Sequence, residues 1–311
     1  MKHEMKLNMK LEERFCTLCG PQAQKNVLYS ANFSDADFNQ QIFSARRTPD
    51  RRHFQLVKCT ACEMIYSDPA GDPSKLAELY HHGLVSYDTQ EPEIYNSYAP
   101  VLDQALKKLS HRGTFVEIGG GTGFMLRYGV EHGFREQIEI EPSQDAEKKF
   151  RPVSPSSKFI RGIFDLGIIP PNSASLICFF QVLDHITDPR SFLKIVHEAL
   201  EPGGIAVCIT HNTRALSAKI LREKSPIFDI EHTYLFNLKN ISALFQSVGF
   251  STAKSFSIPN KYSVKHWLNL APFSPNTKAR VTKILRKTRA DKLHFKLYAG
   301  NLAVIAQKER S

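Results

Sequence analysis

The sequence feature that most constrains the fold is a short apolar run that ends in a cluster of glycines. Residues 114–124 read TFVEIGGGTGF, with an acid at Glu117 and glycine at four of the five positions from 119 to 123. The apolar, β-branched start predicts a strand, and the residues up to about 132 predict a helix. Glycines let the intervening turn adopt positive φ and leave bare backbone against a ligand. The start of the helix adds unpaired N–H groups and partial positive charge to the same place.

The spacing of these glycines separates two kinds of nucleotide-binding turn. The dinucleotide fingerprint G-x-G-x-x-G needs glycine at position 124, where the chain has Phe124. The observed spacing, E-x-G-x-G-x-G from Glu117 to Gly123, resembles motif I of the class I S-adenosylmethionine-dependent methyltransferases. Glu141 ends the next apolar run, about 20 residues further on, where an acid can accept hydrogen bonds from both ribose hydroxyls. An ordinary strand, turn and helix with an exposed glutamate is the alternative.

Later segments carry the same resemblance in the expected order. Residues 181–189, QVLDHITDP, resemble the V-L-E-H-x-x-D-P segment of many methyltransferases acting on small molecules, with Asp184 in place of glutamate. An L-x-P-G-G turn at 200–204 precedes the predicted fifth strand, and Gly249-Phe250 ends a predicted helix. The resemblance covers about residues 14–308. It implies an α/β fold with a Rossmann-like, mostly parallel sheet, an antiparallel last strand and helices on both faces.

The resemblance also implies where the cofactor binds. The predicted S-adenosylmethionine-binding residues are Glu117, Gly119, Gly120, Gly121, Gly123, Glu141, Asp165 and Gln181. Asp165 follows the predicted third strand, where an acid or amide in this family reaches the adenine amino group. A plain turn aspartate is the alternative reading of Asp165.

Two C-x-x-C pairs near the N-terminus predict a structural zinc site. The candidate ligands are Cys16, Cys19, Cys59 and Cys62. Two residues between cysteines let both thiolates turn toward one ion, and two such pairs complete a tetrahedron. Four cysteines leave no open position for catalysis, so the zinc would be structural. A redox pair and unligated cysteines are the alternatives, whereas Cys178 and Cys208 lie in apolar runs typical of the core.

The chain divides into three predicted regions. Residues 1–72 form a zinc-ribbon-like region, 73–110 a helical linker or lid, and 111–311 the methyltransferase domain with a basic insert at about 260–293. Within 73–110 we expect a helix over 75–80 capped by Ser74 and another over about 99–109. Tyr87, Tyr95 and Tyr98 either cover the cofactor, as in the family, or pack against the surface. The sixth and last strands are expected at 253–258 and 301–306.

Composition limits the choice of location and partner. No apolar run approaches the roughly 20 residues of a membrane-spanning helix, and no signal peptide is visible, so we expect a cytoplasmic protein. The formal net charge of +10 fits either an anionic partner such as RNA or a solvated basic surface.

The methyl acceptor is the least constrained part of the interpretation. The N/D-P-P-Y/F motif of base N-methylation is absent, because the position after the fourth strand reads Phe179-Phe180-Gln181-Val182. Transfer to oxygen or an acidic carbon needs a group that removes a proton, and His185 and His232 are the candidates, since both follow strand ends. No second metal cluster is apparent from the spacing of acids.

Three functions remain open at this point. Relatives with a zinc ribbon resembling this chain act on nucleotide sugars, polysaccharide or secondary-metabolite intermediates, which favours a small-molecule acceptor. An rRNA or tRNA methyltransferase, gripping phosphates with the ribbon and the insert, is the main rival. A methyltransferase-like scaffold that binds without catalysis is the third reading, and the intact glycine motif argues against lost cofactor binding.

Overall fold

The computed structural model describes residues 9–34, 37–39, 42–44, 50–85, 91–270, 273–288, 290 and 293–310. Tyr87, one of the three tyrosines in the predicted lid, lies outside the described residues. Within these ranges, no helix is both long enough and apolar enough to span a membrane.

The described strands are β1 (Leu11–Glu12), β2 (Lys25–Tyr29), β3 (Leu56–Cys59), β4 (Ile65–Ser67), β5 (Ala70–Gly71), β6 (Thr114–Ile118), β7 (Glu136–Glu141), β8 (Ser157–Arg161), β9 (Ala174–Phe180), β10 (Leu200–His211), β11 (Tyr234–Leu235), β12 (Thr252–Ser263) and β13 (His294–Gln307). The described helices are α1 (Pro73–His81), α2 (Glu91–Leu106), α3 (Leu126–Glu131), α4 (Gln144–Lys149), α5 (Pro189–Ala199), α6 (Leu216–Leu221), α7 (Leu238–Gln246), α8 (Val264–Leu270) and α9 (Pro275–Lys287).

Seven strands form the central sheet in the order β12-β13-β10-β9-β6-β7-β8. Neighbours from β10 to β8 are parallel, whereas β13 runs antiparallel to both β10 and β12. β9 is buried over all but its last residue, as expected for a central strand covered on both faces. The predicted Rossmann-like sheet, mostly parallel with an antiparallel last strand, is confirmed.

The strand order positions the site. β6 lies between β7 and β9, so the direction in which the chain adds strands reverses there. In open sheets of this kind, a crevice forms outside the carboxyl ends of the strands at the reversal. The glycine turn follows β6, Gln181 follows β9, and β7 and β10 end at Glu141 and His211.

Two helices before β6 differ from the sequence prediction. α1 begins at Pro73 rather than after Ser74, because the Asp72 side chain accepts hydrogen bonds from the N–H groups of Ser74 and Lys75 and is the N-cap. α2 begins eight positions before the predicted residue 99, and acids at Glu91 and Glu93 occupy its first turn. Pro100 lies within this helix.

The predicted basic insert is only partly separate from the sheet. β12 and β13 both extend beyond the predicted strands and pair as far as Ser263 and His294. The described residues between them contain the helices α8 and α9.

The N-terminal sheet has the order β11-β4-β3-β2, and its edge strand β11 comes from the distant segment Tyr234–Leu235. The Tyr234 hydroxyl donates to the Phe15 carbonyl at 2.9 Å. The buried Arg14 guanidinium donates to the carbonyls of Thr187 and Gly71, at 2.8 and 2.9 Å. The N-terminal sheet is therefore built in part by the segment that follows the central sheet's fifth parallel strand.

Candidate active site

The glycine turn leaves β6 against two buried carboxyl groups. A Cβ on Gly120 would lie 2.5 Å from Glu117 Oε1 and 2.5 Å from Glu139 Oε2, so glycine is required there for space. Gly121 has a φ of +64°, a conformation that favours glycine. Gly119 and Gly120 border the cavity described below, whereas Gly121 and Gly123 belong to the same turn without bordering the cavity.

The predicted ribose-binding acid, Glu141, is fixed by the backbone at the tip of β7. Its carboxylate accepts hydrogen bonds from Gly121 N–H at 3.2 Å and Ser143 N–H at 3.0 Å. Burial raises the pKa of Glu141, and these two hydrogen bonds oppose that rise. The side chain borders the cavity, so its oxygens are available to a ligand's hydroxyl groups.

Glu139 is a functional neighbour that the sequence prediction missed. It pairs with Glu117 across β6 and β7, and its Oε1 accepts from Gly120 N–H at 2.7 Å. Burial raises the pKa of Glu117 to about 8. Burial and the charges of Glu117 and Glu141 raise the pKa of Glu139 well above its ordinary value. The position of this acid between Ile138 and Ile140 in a predicted strand was the available signal.

A cavity of ≈ 770 Å³ begins at the glycine turn and extends across the carboxyl edge of the sheet. Of the remaining predicted cofactor residues, Glu117, Asp165 and Gln181 all border it. The Gln181 side-chain N–H donates to the Tyr98 hydroxyl at 3.3 Å, while Asp165 accepts from Leu166 N–H at 2.7 Å.

The two described lid tyrosines lie in different surroundings. Tyr98 is buried, borders the cavity and packs against Phe180 at a ring separation of 5.1 Å. Tyr95 instead donates to Glu131 and lies 4.1 Å from the Arg127 guanidinium, outside the cavity lining. Of the two, only Tyr98 is placed to contact a ligand.

Three histidines that border the cavity and the buried Asp184 form what we call the histidine cluster: Asp184, His185, His211 and His232. The structure brings the two predicted histidines together, with the rings of His185 and His232 4.9 Å apart. His185 Nδ1 lies 2.9 Å from the Tyr80 hydroxyl. His232 Nδ1 lies 2.8 Å from the Ile227 carbonyl oxygen.

Asp184 and His211 complete the cluster and were not predicted as site residues. Asp184 Oδ2 lies 3.6 Å from His211 Nε2 and 3.7 Å from His232 Nε2. The Asp184 carbonyl accepts from Thr233 N–H at 2.7 Å, which brings the segment of His232 to the end of β9. Burial raises the pKa of the Asp184 carboxyl, but the charges of His232, His185 and His211 outweigh it and leave that pKa below its ordinary value.

The four predicted zinc ligands, Cys16, Cys19, Cys59 and Cys62, lie together beside the N-terminal sheet, and Cys59 is the last residue of β3. Their sulfur atoms are all within 4.8 Å of one another, so they could hold one metal ion. Cys16 Sγ and Cys62 Sγ are 3.4 Å apart. Cys178 and Cys208 are buried in β9 and β10, as the sequence predicted for core residues.

Comparison with solved structures gives matches at low sequence identity. A chain in the complex between the Haloferax volcanii Trm112 methyltransferase activator and a methyltransferase is 16% identical, covers 72% of this chain and 95% of its own length, and has a TM-score of 0.50. A methyltransferase from Bacillus halodurans C-125 is 13% identical, the match covers 69% of this chain and 99% of that one, and the TM-score is 0.49. An S-adenosylmethionine-dependent methyltransferase from Mesorhizobium loti is 16% identical, the match covers 68% of this chain and 98% of that one, and the TM-score is 0.46. The first of these likenesses shows a shared fold.

Comparison at the sequence level gives the family. No curated protein matches the chain. A sequence profile described as a methyltransferase domain matches residues 89–255, which is more than half of the chain and includes the glycine turn, Glu141 and the histidine cluster. The chain therefore belongs to the methyltransferase domain family.

Proposed function

We propose that the protein transfers a methyl group from S-adenosylmethionine to an oxygen or carbon atom of a small molecule. The observation that carries this proposal is the cavity that joins the glycine turn and Glu141 to the histidine cluster. Methyl transfer needs the donor and the acceptor in line within one enclosed space, with a group nearby that handles the acceptor's proton. The residues that line this cavity offer both sets of contacts.

The residues that border the cavity near the glycine turn fit S-adenosylmethionine. Glu141 is held by two backbone N–H groups and still borders the cavity, as an acceptor for ribose hydroxyls must. Asp165 and Gln181 border the same space, and Gln181 Oε1 is buried with no hydrogen-bond partner in the described part of the chain. Such an orphaned acceptor is suited to a polar N–H of the ligand. Bound there, the cofactor supplies a methyl group activated on a positively charged sulfur.

His185 and His232 are the residues we propose to act on the acceptor's proton. Both border the same cavity as the glycine turn. Tyr80 orients the ring of His185 through Nδ1, and the Ile227 carbonyl orients the ring of His232. Fixed rings of this kind can hold a proton at a defined place beside the acceptor atom.

The proposed acceptor is a small molecule such as a nucleotide-linked sugar or a natural-product intermediate. The volume of ≈ 770 Å³ lies within the roughly 300–1,000 Å³ typical of small-molecule sites. Aromatic side chains of Tyr98, Phe124 and Trp267 also border it, together with the histidines. This combination suits a compact ligand with both apolar faces and hydroxyl groups.

We also propose that the four cysteines hold a structural zinc ion. Cys59 ends β3 and Cys62 lies in the turn between β3 and β4, whereas Cys16 and Cys19 precede β2. A tetrathiolate site would therefore hold this turn to the segment before β2. The cysteines do not border the cavity, which supports a structural rather than a catalytic role.

One observation favours an RNA acceptor as the second candidate. The helix α9 carries five cations and no acid, at Lys278, Arg280, Lys283, Arg286 and Lys287. Binding of RNA through such contacts would weaken steeply between about 50 and 200 mM salt, by roughly 10³-fold or more for several phosphate contacts.

The test combines cofactor binding with methyl transfer. Calorimetry should detect S-adenosylmethionine binding to the natural protein and not to Gly121→Arg, because Gly121 has a positive φ that favours glycine and a long side chain there would distort the turn that borders the cavity. Radiolabelled methyl groups should then enter extracted small metabolites and not total RNA. Equal cofactor affinity in both proteins would refute the cofactor site, and salt-sensitive, methylation-competent RNA binding would refute the small-molecule acceptor. Cofactor binding without transfer to either pool would favour the scaffold reading.

A further inference from the structure

We propose that Asp184, His211 and His232 bind a divalent transition-metal ion, of which zinc is the best match, on the acceptor side of the cavity. This inference deepens the proposed function and rests on it for its catalytic consequence, but not for the binding of the ion itself. The site is separate from the four cysteines, which lie beside the N-terminal sheet.

The distances fit three ligands around one point. Asp184 Oδ2 lies 3.6 Å from His211 Nε2 and 3.7 Å from His232 Nε2, and all three ligand atoms are within 4.8 Å of one another. Hydrogen bonds between nitrogen and oxygen are shorter, at roughly 2.7–3.2 Å. Two atoms that bind one zinc ion at about 2.0–2.1 Å with tetrahedral angles lie roughly 3.4 Å apart. The observed separations are therefore close to those of ligands that share an ion.

The orientation of the His232 ring also supports metal binding. Its Nδ1 lies 2.8 Å from the Ile227 carbonyl, which can only accept a hydrogen bond, so Nδ1 carries the proton. In the neutral ring, Nε2 then holds a lone pair directed toward Asp184. Metal-binding histidines commonly fix their second ring nitrogen through such a bond to a backbone carbonyl.

Asp184 supplies a second, independent observation. Its side chain is fully buried, and neither carboxylate oxygen has a hydrogen-bond partner among the residues that the structure describes. An ionised carboxylate removed from water is costly unless it is paired or coordinates a metal. An ion between Asp184 and the two histidines would satisfy the carboxylate and the Nε2 lone pair of His232 at once.

The position of the site gives the ion a role in the reaction. His211 and His232 border the cavity, while the buried Asp184 lies behind them. Three protein ligands with the fourth position toward a cavity are typical of catalytic zinc sites. Two histidines with one carboxylate also suit iron(II), so the ligand set alone fits either ion.

The ion would select an acceptor that presents a hydroxyl oxygen. Coordination lowers the pKa of a bound hydroxyl, as it does for water. The hydroxyl proton passes to solvent water, the oxygen forms the new O–CH₃ bond, and the S–CH₃ bond breaks to leave S-adenosylhomocysteine. In this arrangement His232 acts on the acceptor's proton through the ion rather than directly.

The experiment counts zinc bound to the full-length protein after equilibrium dialysis. The natural protein should hold two ions per chain, one at the cysteines and one at the new site. Asp184→Asn and His211→Gln should each hold one. His111→Gln is the matched control, because His111 is half-exposed and its Nε2 lies 2.9 Å from Glu201 Oε1, away from the proposed ligands, so this variant should hold two ions.

Each outcome decides the matter. One ion per chain in the natural protein, or two ions in both Asp184→Asn and His211→Gln, would overturn the inference. If burial of an uncharged amide prevents Asp184→Asn from folding, His211→Gln carries the test, and its retained cysteine-bound ion and a single cooperative thermal transition show that it is folded. Cofactor binding by calorimetry is measured on the same samples. A failure to bind S-adenosylmethionine would refute the proposed function while leaving the zinc count as evidence for this site.

Discussion

Replacing Glu139 with glutamine should remove a large part of the pH dependence of the protein's stability. Glu139 and Glu117 lie side by side under Gly120, and both are almost completely buried. Because burial raises both pKa values, the folded protein keeps protons on these carboxyls that the unfolded chain releases.

The sign and the size follow from proton linkage. A group whose pKa is higher in the folded state stabilises fully below its unfolded pKa, and that stability is lost as the pH rises through the folded pKa. For Glu117 this loss extends over the pH range from the ordinary pKa near 4.5 to the raised pKa of about 8. At about 1.4 kcal/mol per pH unit, this carboxyl alone accounts for a loss of about 5 kcal/mol across that interval. Glu139 has its own loss of the same sign, since its pKa is also raised.

Glutamine at position 139 keeps an oxygen for the Gly120 N–H and cannot ionise. The free energy of unfolding of Glu139→Gln should therefore fall less steeply with pH than that of the natural protein, by up to about 1.4 kcal/mol per pH unit. The assay is urea unfolding without ligand at half-unit steps from pH 5 to pH 8, with linear extrapolation to water. Comparing the two proteins cancels the titration of groups that they share.

The control is Glu136→Gln on the same strand. Glu136 pairs with Lys158 at the surface, so its replacement should leave the slope with pH nearly unchanged. If Glu139→Gln and Glu136→Gln had the same slope as the natural protein, the two buried carboxyls would not hold protons in the folded state and the reasoning would be refuted.

Three further predictions concern the site and the cysteines. Gly120→Ala should destabilise the fold by about 1–3 kcal/mol, because its Cβ would press on the two carboxyls, whereas Gly162→Ala, with open space around it, should be neutral in the same urea assay. Glu141→Ala should weaken S-adenosylmethionine binding by about 1–3 kcal/mol in calorimetry, and unchanged affinity would contradict its ribose role. Paired replacement of Cys59 and Cys62 by serine should abolish one bound zinc and lower the thermal transition, and full retention of zinc would disprove the tetrathiolate site.

Sequence patterns predicted the parts of the fold that depend on residues close together in the chain. The glycine turn and the buried strand β9 each follow from residues close together in the chain. The start of α1 did not follow, because Asp72 competes with Ser74 for the same cap position and lies directly before a proline.

The sequence predicted only those site residues that lie at the end of a single strand. Glu141 and Gln181 come at the tips of strands that run in the same direction, so pattern and family resemblance both suggest them. The association of Asp184 with His211 and His232 depends on β9 lying beside β10 and on the Thr233 backbone bonding to Asp184. The spacing of the three residues along the chain does not predict that they lie together, since they belong to three segments that are far apart in the sequence.

The completion of the N-terminal sheet by β11 has a consequence for how the chain is made. When residues 1–72 leave the ribosome, β4 has no partner on one side, because Tyr234 and Leu235 have not yet been synthesised. An open strand edge of this kind can pair with the wrong chain, and non-local pairing delays folding. The nascent N-terminal region must therefore wait, with its edge unprotected, until more than half of the remaining chain has been translated. A separately expressed N-terminal fragment inherits that open edge permanently, and supplying a peptide with the sequence of residues 230–237 in trans should make it more soluble.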